Sequence, residues 1–159
     1  MKIDDLVDIE SLQGVELELS EYTWEWCKLP YPNHPYGCPN YGKKEVCPPC
    51  PKINEIMSEP YMLVAIRFDL ESWSKHMKNM HPTWTDRQCR NLLYWQKGVL
   101  SRLKKYCDGI LNANDNMIAT YVPEALGVQV FNTVFKYGIK LERNPKKYVY
   151  KIAILGFKK

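Results

Sequence analysis

The chain has 159 residues with a formal net charge of +4, a size that fits one domain able to bury its apolar surface without disulfide staples. So mild a positive balance falls short of the footprint of a dedicated nucleic-acid binder. No stretch has the unbroken apolar length of a membrane helix, and Met1-Lys2-Ile3-Asp4-Asp5 opens neither a signal nor a transit peptide. A cytoplasmic protein with no membrane partner is expected, and in a reducing interior its six cysteines serve as ligands or core residues rather than as disulfides.

Taken in chain order, Val15-Glu16-Leu17-Glu18-Leu19 alternates apolar and charged residues, which predicts a half-buried strand, continued by Tyr22 to Trp26, that delivers Cys27. From Leu29 to Pro51, seven prolines and two glycines exclude helix and central strand. The result is an irregular loop, about residues 27–51, of a length that a compact domain tolerates once a metal cross-links it. Tyr61 to Phe68 is a nearly continuous apolar run, the pattern of a strand buried on both faces at the centre of a sheet. Asp69 or Ser72 then opens a helix through Met80, and Pro82 ends it.

Thr85-Asp86-Arg87-Gln88 has the form of a capping box. Cys89, Leu93, Gln96, Leu100, Leu103 and Cys107 follow at three- or four-residue spacing, which predicts the longest helix over residues 85–108 with Gly98 weakening its middle. After the turn Asn112 to Asn116, Met117 to Tyr121 reads as a strand. Pro123 suits the start of a helix that buries Leu126, Val130, Phe131, Val134 and Phe135 before Gly138. Ile139 to Glu142 and Tyr148 to Leu155 then read as two segments of a hairpin turned at Arg143 to Lys147. The class is α+β (mixed α/β): one domain over residues 1–159, with one central sheet, packed helices and an irregular cysteine-rich metal-binding loop.

Chemistry concentrates in that loop. Cys47-Pro-Pro-Cys50 supplies two thiolates at a spacing that lets both reach one centre, and its prolines fix the backbone beforehand. Cys38 and Cys27 complete a four-thiolate set, suited to zinc or to an iron–sulfur cluster. His34 is an alternative to Cys27, although its commoner role is that of a loop histidine donating to a carbonyl. A redox dithiol at Cys47 and Cys50 is the main metal-free reading, and Pro51 with two further cysteines nearby argues against it. The rings at Tyr22, Trp24, Trp26, Tyr31, Tyr36 and Tyr41 read as cover for the loop, or as a stacking surface for a planar ligand.

Cys89 and Cys107 are core residues by position. Arg87, Arg90, Lys97, Arg102, Lys104 and Lys105, with Trp84, Tyr94 and Trp95 close by, read as a solvated helix face, with a nucleic-acid grip as the rarer meaning. No phosphate-binding glycine loop, Ser/His/Asp order or HExxH occurs, so ordinary hydrolases and nucleotide enzymes have no support.

Gly37-Cys38-Pro39-Asn40-Tyr41-Gly42 with Cys47-Pro48-Pro49, then Pro123-Glu124-Ala125-Leu126-Gly127-Val128-Gln129-Val130-Phe131-Asn132-Thr133 and the closing apolar strand, resembles the uncharacterised DUF2284 family of predicted metal-binding proteins over roughly residues 34 to 156. That pattern expects a cysteine three residues before Cys38, where this chain has Pro35. It also expects a second cysteine group before the Glu-Ala-x-Gly helix, where the chain has only Cys107 and the Asn112 to Asn116 turn. The resemblance thus implies one centre, with Cys27 and Cys50 supplying what is missing. It favours an iron–sulfur cluster, [4Fe–4S], over a structural four-cysteine zinc site in an interaction module. The cluster would serve electron transfer with a redox partner, or the binding of a small-molecule substrate. It also puts Glu124 beside the centre as a cofactor-binding residue that accepts hydrogen bonds or moves protons; by position alone Glu124 is a first-turn carboxylate favoured by the helix dipole.

Overall fold

The computed structural model describes residues 1–30, 33–43 and 51–159. Four antiparallel strands form one sheet, β1 (Val7–Val15), β2 (Met57–Asp69), β3 (Met117–Thr120) and β4 (Tyr148–Lys158), in the order β1-β2-β4-β3. The helices are α1 (Ile53–Ile56), α2 (Leu70–Met80), α3 (Asp86–Cys89), α4 (Gln96–Asn112) and α5 (Val130–Phe135), with shorter-pitched 3-10 helices at Ile3–Leu6, Glu21–Lys28, Leu92–Tyr94 and Pro123–Leu126. The fold is α+β, as the sequence predicts.

β2 is an interior strand, and its apolar run explains why. Leu63, Val64, Ala65, Ile66 and Phe68 are all buried. Leu63 and Ala65 face one cluster with Ile53, Leu126, Val128, Val130, Val134 and Ile139, while Val64, Ile66 and Phe68 face another with Trp95, Val99, Leu103 and Cys107. Each large side chain so buried contributes about 1.5–3 kcal/mol. The sheet therefore has a helical layer, α2 and α4, on one side. The other side carries a layer of short turns, α1, α5 and the Pro123–Leu126 helix.

Asp69 caps α2 by accepting from the Ser72 backbone N–H at 2.9 Å, and the capping box at α3 forms, with Gln88 N–H donating to Thr85 Oγ1 and Thr85 N–H to Gln88 Oε1. The long helix expected over residues 85–108 does not. It is interrupted between Cys89 and Gln96, where Asn91 accepts from the Leu93 N–H at 3.0 Å and the Trp95 indole N–H donates to the Arg90 carbonyl at 3.1 Å. Trp95 is 2% exposed and stacks on Phe68 at 4.9 Å between ring centroids. Seating that ring turns the chain, so the buried stripe becomes Trp95, Val99, Leu103 and Cys107, and Leu93 stands 84% exposed. Gly98 consequently lies in the first turn of α4, and the helix runs on to Asn112.

Four other expectations are corrected. The strand predicted at Val15 to Leu19 lies earlier, over Val7–Val15, ending where Gly14 (φ +67°) shifts the β1–β2 register. Residues 16–18 turn to side chains on the far segment: Glu16 N–H donates to Tyr137 Oη (2.7 Å) and Glu18 N–H to Thr133 Oγ1 (3.0 Å). Tyr22 to Trp26 is helical, not extended. The single helix expected from Pro123 is two, because Gly127 adopts φ +83°, a left-handed conformation that closes the first; Phe135 is left 68% exposed. Ile139 to Glu142 forms no strand, so β4 has no hairpin partner there.

This packing sets the cost of two kinds of substitution. Gly127→Ala puts a Cβ on a left-handed residue and is expected to lower the unfolding free energy by about 1–2 kcal/mol in urea titrations. Cys89→Ala and Cys107→Ala, at 1% and 0% exposure, are expected to cost about 1 kcal/mol each in the same assay.

Candidate metal centre

Cys27 lies near the end of the Glu21–Lys28 helix, and three contacts dock that helix. Its cap residue Ser20 accepts from the Tyr22 N–H and donates its own N–H to the Gly127 carbonyl at 2.7 Å. The Trp24 indole N–H donates to the Ala125 carbonyl, also at 2.7 Å. Trp26 meets Phe131 of α5 edge to face, with centroids 6.1 Å apart. The Pro123–Gly127 turn, expected near the cysteine loop despite its distance in sequence, is thus in contact with the element that carries Cys27.

Cys38 returns to the same place. Its backbone N–H donates to the Cys27 carbonyl at 2.6 Å, within a run of tight turns in which Gly37 N–H bonds to His34 O and Tyr41 N–H to Cys38 O. Gly37 is what permits the approach. It has φ +84°, and a Cβ there would lie 2.5 Å from the Cys27 carbonyl oxygen and from the Lys28 carbonyl carbon. Cys27 and Cys38, eleven positions apart, are therefore brought together through their backbones, and both are half-buried. Cys47 and Cys50 lie outside the described residues. Among the described residues no group of three or more His, Cys, Asp or Glu side chains is placed to hold a metal ion.

The rings divide between the two readings. Trp24 and Trp26 dock the helix, and Lys28 Nζ sits 5.1 Å from the centroid of Tyr41. Tyr22 and Tyr36 are 78% and 93% exposed and cover nothing. The basic stripe is not one helix face, since α3 and α4 are separate elements. Arg102 is held by Asp4 at 2.6 Å, Lys104 lies over Tyr121, Trp95 is buried, and Trp84 stacks on His81 and meets Tyr94 at a tilt.

Glu124 is half-buried, and burial pushes its carboxyl above the usual carboxylate range, against a smaller opposing pull from its own backbone N–H and from Lys151. Lys151, on β4 opposite Ile66, is pushed below the usual lysine range by burial, partly offset by Glu124. These opposite charges are half-buried and felt by each other. In the sequence Lys151 is only a lone cation in the apolar run Tyr148 to Leu155, which by itself marks no chemistry. Gly37 is likewise legible only as a turn former until its contact with Cys27 is seen.

No family model matches the chain, and no curated protein or solved structure is significantly similar to it. The likeness to DUF2284 therefore stands as a resemblance. Among the described residues no helix is long and apolar enough to cross a membrane.

The sign of the Glu124 effect is set by its raised pKa. Between the ordinary carboxylate value and the raised one, the folded protein holds more protons than the unfolded chain, so stability is lost as pH rises through that interval. Urea midpoints from pH 4 to pH 7 are expected to fall by less in Glu124→Gln than in the parent.

Proposed function

We propose that the protein binds a metal centre through Cys27, Cys38, Cys47 and Cys50, with an iron–sulfur cluster, [4Fe–4S], as its favoured occupant. The observation that carries this reading is the docking of Cys38 onto Cys27 through the Gly37 turn. Two cysteines spaced too far apart for a CxxC pair thereby have their backbones joined, which supports thiolates converging on one soft metal. Cys89 and Cys107, by contrast, are buried away in the core. When bound by all four thiolates, the cluster would supply an electron-transfer centre; with one iron left without a cysteine, it would supply a Lewis-acid site for a small substrate. The chain's own part is to fix the backbone at Cys27 and Cys38, and to hold Glu124 half-buried beside the same helix as a proton acceptor. A redox partner or a small-molecule substrate follows from that role.

Structural zinc is the second reading, supported by the scant burial of the described loop. Between Asn33 and Lys43 only Gly37 is buried, so a metal would supply the cross-link that a core does not. The interaction partner would then be protein or nucleic acid.

Protein purified without oxygen separates the two: brown, with iron and sulfide, for the cluster, or colourless with one zinc per chain. Each of Cys27→Ser, Cys38→Ser, Cys47→Ser and Cys50→Ser is expected to lower metal content and open the loop to protease, while Cys89→Ala and Cys107→Ala keep the parent's metal. Full occupancy in all four serine variants would sink the proposal. Retained metal in Cys27→Ser together with its loss in His34→Ala would replace Cys27 by His34.

A further inference from the structure

Where Trp26 meets Phe131, these two rings with Leu29, Gln129, Glu142 and Arg143 line a pocket of about 540 Å³, a volume typical of small-molecule sites. Its walls are of two kinds. Trp26 and Phe131 stand at 82° to each other and offer ring surface to a planar body, extended by Leu29, an apolar side chain left 53% exposed. Glu142 and Arg143, which also line it, are exposed, and no ion pair among the described residues involves either. Gln129 spends its Oε1 on the Asn132 N–H, which leaves its Nε2 to donate.

We propose that this pocket binds a small monocarboxylate with a planar or branched apolar body. The guanidinium fork of Arg143 matches a carboxylate, and a charge-assisted pair of that kind is about twice as strong as a neutral hydrogen bond. Glu142 in the same wall repels a second negative charge, which disfavours phosphates, dicarboxylates and nucleic-acid backbones. The apolar body covers Trp26, Phe131 and Leu29, and Gln129 supplies a further donor. The site stands on the pocket alone, whatever metal the cysteines hold, although Trp26 and Leu29 flank Cys27 in the chain and an occupant would lie close to the proposed centre.

The test uses full-length protein as purified, its tryptophan indoles labelled with nitrogen-15 and the Trp26 signal identified by its loss in Trp26→Phe. Indole-3-acetate, phenylacetate and 4-methylpentanoate are titrated beside their neutral amides. At least one acid is expected to shift the Trp26 signal saturably and to bind about tenfold more tightly than its amide. Arg143→Gln should erase that preference while leaving the amide's affinity unchanged. No saturable shift with any of the three acids overturns the proposal. So does equal binding of acid and amide, or a preference for the acid that survives Arg143→Gln. Metal content measured on the same samples reports separately on the cysteine centre.

Discussion

The antiparallel pairing of β2 with β4 is the constraint on which the rest depends. It runs from Met62 opposite Leu155 to Asp69 opposite Tyr148 and places two strands, apolar on both faces, in the middle of the sheet. Such strands require cover on both sides, since every side chain of β2 from Leu63 to Ile66 is at most 1% exposed. One face is covered in the usual way by α4, whose stripe at four-residue spacing lies along the sheet. The other has no long helix to serve it. It is roofed by short turns whose backbone groups need partners of their own, and this roof bears Cys27.

That asymmetry explains how distant segments come together at the candidate centre. A roof of short turns leaves many N–H and C=O groups outside regular ladders, and each must find a partner. Glu18 O accepts from Gln129 N–H, Gly127 O from Ser20 N–H and Ala125 O from the Trp24 indole. These bonds are the roof's substitute for helix and sheet. They tie residues 16–28 to residues 123–137, so the Cys27 helix has its place before any metal is considered.

What could be read from the residues alone follows the same division. β2, the Asp69 cap, the capping box at Thr85, β3 and the α+β class are all set by apolar pattern or by a local side-chain bond, and pattern reveals these directly. Misreadings cluster where a single long-range contact overrides the local pattern. Leu93 matches the helical spacing as well as Trp95 does, and only the fit of an indole against Phe68 decides between them. Val15 to Leu19 alternates like a strand, yet its backbone donors are taken by Tyr137 and Thr133 from more than a hundred residues away. At the candidate site, the four cysteines stand out by type and spacing, and Glu124 only through the resemblance. Lys151 and the Arg143 pocket do not, since each acquires meaning only from neighbours that the sequence separates widely.

The Gly37 contact bears on how a looser set of cysteines can still form one centre. Under the proposed reading, the interval from Cys27 to Cys38 leaves a loop to be closed, and the entropy of closing it would otherwise fall on the metal. Here a protein–protein bond, Cys38 N–H to Cys27 O, closes it instead, and the left-handed glycine lets the two backbones meet without a clash. The metal would then have only to join that junction to Cys47 and Cys50, two cysteines separated in the sequence by a pair of prolines. Glu124 and Lys151 add a local electrostatic consequence. Each is disfavoured as an ion by burial and each eases that cost for the other.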